Sequence, residues 1–292
     1  MKRGVKFDLD CVQCVTRQLV DAVKVLHSDW PDQKALIQEA LQFVGSIPLD
    51  RVPVAVVHDT FEFLRQRSGV EDPYRATKSQ FNNFVLQHYD SLEAAIANSE
   101  DPLHAALLLS IAGNVIDLAV VSSVRDDAIH QAVRTALEKT LPRRTLEAFR
   151  DDIARAERIL YLADNSGEIV FDKLLIRRLP REKITYVVRG KPILNDCTMD
   201  DARHVGMTQL VDVIDNGAGA PGTVIDLCSQ QFLDAYDGAD CIIAKGMGNL
   251  ETLFESPKNI YFLLQAKCGV LSRFLDVPVG TYLFVHEPAS PG

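Results

Sequence analysis

The chain has 292 residues, 47% hydrophobic and 24% charged, a balance typical of a globular protein with one large or two modest domains. A formal net charge of −9 without any Lys/Arg-rich tract argues against nucleic acid as the main partner. No apolar run approaches the roughly 20 residues of a membrane span, and six cysteines in a chain of this length do not indicate a disulfide scaffold. With no export signal in the sequence, we expect a cytoplasmic protein with reduced thiols.

The first part of the chain, 1–150 in our division, has the periodicity of amphipathic helices and few strand-like runs. It therefore predicts a helical N-terminal part. The clearest apolar stripes are formed by Val15, Leu19, Val23 and Leu26, by Ala35, Leu36, Ala40, Leu41 and Val44, and by Leu103, Ala106, Leu107, Ser110, Ile111 and Asn114.

Two polar features interrupt these helices. Cys11 and Cys14 are spaced as in half of a zinc site, but no second Cys-x-x-Cys pair follows, and small buried thiols on a helix are the simpler interpretation. Asn114 and Asp117 share one face of a predicted helix. They either reach a functional site or hold a helix–helix contact, since polar groups on an apolar stripe need partners.

The second part, 151–292, alternates apolar runs with helical patterns, which indicates βαβ units and a mostly parallel sheet. Strands are predicted at 158–163, 184–188, 210–214, 240–244, 259–264 and 281–286, and helices near 168–179, 199–205, 222–235, 249–255 and 266–275. The expected fold class is α/β, with the helical N-terminal part packed on a Rossmann-like sheet flanked by helices. No Gly/Ser-rich linker separates the parts, so one continuous domain is equally compatible with the sequence.

Polar side chains follow two successive predicted strands. Asp164 and Asn165 come after the first strand and precede Gly167 and Glu168, and Asn195 and Asp196 come after the second. Such residues are often helix N-caps. Their repetition at neighbouring strand ends favours a site, because ligands of open α/β sheets bind beyond the carboxyl ends of the strands. Two carboxylates and an amide oxygen suit Mg²⁺ or Mn²⁺, with Co²⁺ or Ni²⁺ as further options.

A glycine-rich segment follows the third predicted strand. Gly217, Gly219 and Gly222 match the spacing of a dinucleotide-binding loop, but Pro221 stands where that loop donates backbone N–H groups. The next strand ends in Lys245 rather than in the acidic residue of an NAD site. A glycine loop that holds a simple phosphate requires fewer coincidences.

Two cations lie near the predicted strand ends. Lys245 follows an apolar strand among glycines and is placed to reach a phosphate, although a solvated lysine in a turn has the same pattern. Arg189 precedes Asn195 and Asp196, where it serves either an anionic substrate or a structural ion pair.

These segments together resemble the damage-control phosphatases, long grouped as domain of unknown function family eighty-nine. The resemblance covers nearly the whole chain. Its motifs are Gly113-Asn-Val-Ile-Asp117, Asp164-Asn-Ser-Gly-Glu-Ile-Val-Phe-Asp172, Pro192-Ile-Leu-Asn-Asp-Cys-Thr198 and Lys245-Gly-Met-Gly-Asn-Leu-Glu251. The pair Cys11 and Cys14, the stretch from Asp72 to Lys78, and Lys267-Cys268 are similar to the stand-alone prokaryotic branch.

The resemblance implies metal-dependent phosphatases of small phosphometabolites, with a helical N-terminal part on an α/β sheet. It implies Asp164, Asn165 and Asp196 as metal ligands, with Asp164 and Asp196 catalytic. Asn114, Asp117, Arg189 and Lys245 become the predicted substrate contacts.

The sequence thus predicts a hydrolase of small phosphomonoesters such as sugar phosphates, with no nucleic-acid or membrane partner. The alternatives are an NAD(P)-dependent reductase that uses Gly217, Gly219 and Gly222, and a non-catalytic metal- or metabolite-binding protein. The sequence does not reveal the oligomeric state.

Overall fold

The computed structural model of this chain describes residues 5–26, 29–48, 50–114 and 126–288. In the first part, its helices are α1 (Leu9–Leu26), α2 (Trp30–Ser46), α3 (Pro53–Ser68), α4 (Arg75–Gln87), α5 (Tyr89–Ala97), α6 (Pro102–Gly113), α7 (Asp126–Leu137) and α8 (Arg143–Arg155). In the second part they are α9 (Glu168–Ile176), α10 (Met199–His204), α11 (Gln230–Gly238), α12 (Gly246–Leu253) and α13 (Gly269–Leu275).

The sheet lies entirely in the second part and confirms all six predicted strands. Their bounds are β1 (Ile159–Leu162), β2 (Ile184–Val188), β3 (Asp212–Asp215), β4 (Cys241–Lys245), β5 (Ile260–Gln265) and β6 (Tyr282–Glu287). The strand order is β3-β2-β1-β4-β5-β6. The first five strands are parallel and β6 pairs antiparallel with β5, so the prediction of a mostly parallel sheet is confirmed.

The order of the strands determines where a ligand site belongs. The chain builds outward from β1 through β2 to β3, and then returns to place β4 on the other side of β1. A crevice forms beyond the carboxyl ends of β1 and β4 at such a reversal, and ligands of open α/β sheets bind there.

Alternate residues of the strands pack on opposite faces of the sheet, as the two-residue repeat of a strand requires. Tyr161, Tyr186 and Ile243 belong to one apolar cluster, whereas Leu160 and Ile242 belong to another. Helices α4 to α10 cover the first face, and α11 to α13 cover the second. The four central strands, β1, β2, β4 and β5, are therefore buried on both faces, which is why their sequences are nearly continuous apolar runs.

The helical part is tied to the sheet in two ways. Helices α1 to α3 share a smaller apolar cluster of their own, which also includes Ile193 from the second part. The larger cluster extends from Phe81 in α4 to Phe284 in β6 and crosses residue 150 without a break. This packing is what one continuous domain requires, and the division at residue 150 stays a prediction.

One predicted helix differs from the structure. The segment 222–235 contains a 3₁₀ turn at Ile225–Leu227, and the helix α11 begins only at Gln230. The side chain of Ser229 caps α11 by accepting a hydrogen bond from the backbone N–H of Phe232. Within the described residues, no helix combines the length and the apolar character needed to cross a bilayer.

Candidate active site

The two loops that follow β1 and β2 are joined by backbone hydrogen bonds at the carboxyl edge of the sheet. Asn165 and Asp196 form an isolated antiparallel bridge. The N–H of Cys197 donates to the carbonyl of Asp164 at 2.8 Å, and the N–H of Ser166 donates to the carbonyl of Asn195 at 2.8 Å. The structure therefore brings together the two polar segments that the sequence singled out.

Asp164, Asn165 and Asp196, the three predicted metal ligands, all line one cavity at this edge. Asp164 and Asp196 are 9% and 2% exposed. Burial raises the pKa of Asp164 to about 8, with further contributions from the neighbouring carboxylates of Asp196 and Glu168. Negative charge is thus concentrated here without enough water to stabilise it.

Amide groups partly compensate this charge. Asn114, at the end of α6, donates from Nδ2 to Asp164 Oδ2 and to Glu168 Oε2, both at 2.8 Å. Asn165 donates to the same two oxygens at 2.7 and 3.0 Å. The sequence left open whether Asn114 reaches the sheet, and the structure shows that it does. Asp117, predicted with it, lies outside the described residues.

Arg189 follows β2 and lies between the two buried aspartates. Its Nε donates to Asp196 Oδ2 at 2.7 Å, and its Nη2 is 3.7 Å from Asp164 Oδ1. Burial opposes its charge, but the carboxylates of Asp196 and Asp164 outweigh that effect and raise the pKa of Arg189. Within the described residues, the buried Nη2 makes this long ion pair with Asp164 but donates no hydrogen bond at normal distance. Its hydrogens are therefore not fully used by the protein groups that the structure describes.

Lys245, the predicted phosphate contact at the end of β4, lies beneath the site and is fully buried. Its Nζ donates to Glu168 Oε1 at 2.6 Å, to Asp172 Oδ1 at 2.7 Å and to the Ser110 carbonyl at 3.1 Å. Burial alone would lower the pKa of Lys245, but Asp172 and Glu168 raise it. All three ammonium hydrogens have acceptors, so this arrangement argues against direct phosphate contact and assigns Lys245 to the support of Glu168.

The residues present fit a hard divalent cation. The carbonyl oxygen Oδ1 of Asn114 is buried and accepts no hydrogen bond from the part of the chain that the structure describes, although its Nδ2 donates to two carboxylates of the site. Among the described residues, no three His, Cys, Asp or Glu side chains are arranged to hold a metal by themselves. The fit therefore depends on amide oxygens beside Asp164 and Asp196, a donor set of oxygens alone that suits Mg²⁺ or Mn²⁺.

A second layer of polar side chains fixes the two loops. Asp201 of α10 accepts hydrogen bonds from Ser166 Oγ at 3.1 Å and from the N–H and Oγ1 of Thr198 at 2.9 Å. Helix α4 contributes Lys78, whose Nζ is 3.2 Å from Asp201 Oδ2, and Asn82, whose Oδ1 accepts the N–H of Gly167 at 2.6 Å. The helical part thus positions the loops that carry the site.

Gly246 opens α12 directly against Asp164. Its φ is +79°, which L side chains rarely adopt, and an added Cβ would lie only 2.8 Å from even the farther carboxylate oxygen of Asp164. A glycine is needed here for both reasons, because the carboxylate occupies the space that a side chain would take.

The Gly217 to Gly222 loop does not open a helix, since only a 3₁₀ turn and then α11 follow it. The N–H groups of Gly190 and Lys191 both donate to the Ala218 carbonyl at 3.0 Å. A Cβ on Gly222 would lie 2.5 Å from the Gly248 carbonyl oxygen. The glycines therefore serve close packing of the loop against the turn after β2 and the start of α12. This contradicts the helix-opening geometry that the reductase alternative needs.

The cavity has a volume of about 290 Å³ and extends from Asp164 toward α1 and α13. Among its lining residues are Gln18 of α1, Glu251 of α12 and Lys267 after β5, none of which was predicted to form the site. Lys267 is close enough to Asp164 to oppose the rise of its pKa. Three distant segments supply these side chains, so only the fold brings them together.

The thiols of the N-terminal motif line the same cavity. Cys11, Cys14 and Cys268 are all free, and burial raises the pKa of both Cys11 and Cys14. Cys11 Sγ accepts the N–H of Asp8 at 3.4 Å, and Cys268 Sγ accepts the N–H of Leu271 at 3.4 Å. Cys11 and Cys268 thus accept backbone N–H groups at the starts of α1 and α13, and all three thiols line the wall of the cavity.

The family model described as the damage-control phosphatase ARMT1-like domain matches residues 8–283 of the chain. The chain belongs to this family. Both the resemblance stated from the sequence and the α/β fold class are thereby confirmed, the latter also by structural comparison. The chain superposes on the crystal structure of a DUF89 family protein from Pyrococcus horikoshii with a TM-score of 0.88, at 29% identity, over 96% of this chain and 99% of the other.

Relatives with curated names are similar over nearly their full length. A damage-control phosphatase of Archaeoglobus fulgidus is 33% identical over 92% of this chain and 95% of the relative. A damage-control phosphatase of Pyrococcus horikoshii is 31% identical over 97% of this chain and 99% of the relative. An uncharacterized protein of Methanocaldococcus jannaschii is 34% identical over 95% and 94%. These damage-control phosphatase homologues support a phosphatase, and so a hydrolase, role. The roles of individual residues stay predictions.

Proposed function

We propose that this protein is a metal-dependent phosphatase that hydrolyses small phosphorylated metabolites, phosphomonoesters such as sugar phosphates. The observation that carries the proposal is the convergence of Asp164, Asn165 and Asp196 on one cavity at the reversal of strand order, beside the guanidinium of Arg189. Family membership supports the phosphatase chemistry.

Asp164, Asn165 and Asp196 would hold the divalent cation, with Mg²⁺ or Mn²⁺ favoured by the oxygen donors. When bound, such a cation stabilises the charge that develops on a phosphoryl oxygen. The two amide side chains, Asn114 and Asn165, fix the orientation of Asp164 through their hydrogen bonds. Arg189 in turn fixes Asp196.

Two cations near Asp164 would contact the phosphate. Within the described residues, Nη2 of Arg189 has no hydrogen-bond partner, and Lys267 lines the cavity near Asp164. These observations support Arg189 and Lys267 as the groups that would bind phosphoryl oxygens through charge-assisted hydrogen bonds, which are the strong ones. Hydrolysis adds water to phosphorus and breaks the bond to the ester oxygen, so the products are inorganic phosphate and an alcohol.

The test compares Asp164→Ala and Asp196→Ala with Asp151→Ala, which removes an exposed carboxylate of α8. Phosphate release from a generic phosphomonoester is measured with and without added Mg²⁺ or Mn²⁺, and circular dichroism checks the fold. Both site variants should lose metal-stimulated release, whereas Asp151→Ala should keep it. Full activity in a folded Asp164→Ala or Asp196→Ala protein would refute the site assignment.

A further inference from the structure

Two hydrogen-bond acceptors in the cavity lack donors within the described part of the protein. The side-chain oxygen Oε1 of Gln18, on α1, is buried and has no hydrogen-bond partner. The carboxylate of Glu251, on α12, lines the same cavity, and no donor or cation of the described residues pairs with it. A buried acceptor without a donor, such as Gln18 Oε1, is costly, and the partly buried carboxylate of Glu251 opens onto the same cavity. Both observations point to a ligand that supplies hydrogen-bond donors.

Helix α12 sets how far Glu251 lies from the predicted metal ligand Asp164. Gly246, at the start of the helix, contacts Asp164, and Glu251 follows five residues later. At about 1.5 Å of rise per residue, Glu251 lies about 7.5 Å farther along the helix axis. Met247, one turn before Glu251 on the same face, also lines the cavity. Glu251 is thus placed beside the body of a ligand whose phosphate lies near Asp164.

Other lining residues limit what that body is. Apart from the predicted metal ligands, the charged side chains of the described lining are two carboxylates, Asp10 and Glu251, and two cations, Arg17 and Lys267. This part of the wall therefore favours neither a cationic nor an anionic ligand body. The described lining contains no aromatic side chain on which a nucleobase would stack. Hydroxyl groups remain as donors that are neutral and that satisfy a carboxylate and an amide oxygen together.

We propose that Glu251 and Gln18 form a specificity subsite that accepts hydrogen bonds from hydroxyl groups on the carbon skeleton of the substrate. The inference rests on the phosphatase function proposed above, and it assigns recognition of the non-phosphate part to α1 and α12. Glu251 and Gln18 are specificity residues, since the reacting phosphorus lies at the other end of the cavity.

The test uses two phosphomonoesters that differ in hydroxyl content, a hexose phosphate and butyl phosphate. Glu251→Met keeps the length of the side chain and removes the acceptor, whereas Glu251→Gln keeps an acceptor oxygen. Met247→Leu serves as the control, because it changes the same wall without a polar group. Glu251→Met should lower kcat/KM for the hexose phosphate about 10- to 100-fold, mainly through KM.

Under the proposal, butyl phosphate is hydrolysed by Glu251→Met with kcat/KM near that of the wild type, and Glu251→Gln retains most of the preference for the hexose phosphate. An equal loss on both phosphomonoesters, or no loss on either, overturns the proposal. If Glu251→Met does not fold, Gln18→Met, which changes the other residue of the subsite, carries the same expectation and the same refuting outcomes.

A failure of the phosphatase proposal is recognised separately. If the wild type releases phosphate from neither compound with any divalent cation, the binding of both compounds is measured by titration calorimetry. Tighter binding of the hexose phosphate that is lost in Glu251→Met then supports the subsite. Equal affinity of the wild type for both compounds overturns it.

Discussion

The sharpest test of the site geometry is the substitution Gly246→Ala. The new methyl group would overlap the carboxylate of Asp164, and the backbone of Gly246 has a φ of +79°. Two costs are therefore combined, backbone strain and displacement of a predicted metal ligand. A substitution at Gly69 has only the first of these costs. Gly69 ends α3 with a φ of +69°, but an added Cβ there meets no described atom within 4 Å.

The magnitudes follow from these two environments. A non-glycine residue in the left-handed region costs about 1–2 kcal/mol, so Gly69→Ala should lower the melting temperature by a few degrees and leave activity unchanged. Gly246→Ala has the same strain, and its carboxylate neighbour must move by about 1 Å or more to reach an ordinary contact. A misplacement of about 1 Å at a reacting centre costs on the order of 100-fold in rate.

The assay measures metal-stimulated phosphate release and thermal unfolding for both variants and for Gly45→Ala. Gly45 lies in α2 with open space around its Cα and without a positive φ, so alanine there should stabilise the protein slightly. A Gly246→Ala protein as active as Gly69→Ala would show that the position of Asp164 does not matter, and the proposed site would be wrong.

Two further substitutions test charges near the cavity. Lys245→Met leaves Glu168 and Asp172 buried without their cation and should destabilise the protein by about 3–5 kcal/mol, measured by urea unfolding. Unchanged stability with a raised KM would instead favour the phosphate contact predicted from the sequence. Burial raises the pKa of Glu251 to about 7 from its usual 4.5. The folded state therefore binds the proton of the Glu251 carboxyl more tightly than the unfolded state does. The protonated carboxyl contributes its full stability below about pH 4.5, and this stability is lost as the pH rises through 7. The loss of stability amounts to at most about 3 kcal/mol, and Glu251→Gln should remove it. The free energy of unfolding of the wild type and of Glu251→Gln is measured at pH 5 and at pH 8. Identical pH dependence in both proteins would contradict the assignment.

The sequence predicted the centre of the sheet well because its four central strands are buried on both faces. Strands β1, β2, β4 and β5 consist of nearly unbroken apolar residues. The loops of the site were also visible, since Asp164 comes two residues after β1 and Asp196 lies in the loop that follows β2. Parallel strands end at one edge of a sheet, so the pattern alone predicted that these residues would meet.

The environment of Lys245 was not readable in the same way. A lysine at a strand end among glycines faces either the crevice or the layer beneath it, and the strand pattern is identical in both cases. The deciding signal is on another helix, where Glu168 and Asp172 are four residues apart and share one face of α9. Two acidic residues on a helix that is otherwise almost entirely apolar require a buried cation, and Lys245 is that cation.

The charges of the connected network at the site make the case for a divalent cation more directly than any single residue. Within the described residues, the network's carboxylates are those of Asp164, Glu168, Asp172 and Asp196, and its cations are Arg189 and Lys245. With every group ionised, two negative charges of the network remain uncompensated, on side chains that are themselves at most 9% exposed. Buried charge without a partner is strongly unfavourable, and a divalent cation carries the two positive charges that this network lacks. The same excess would repel the phosphate of a substrate, so neutralising it is also a condition for substrate binding at this edge of the sheet.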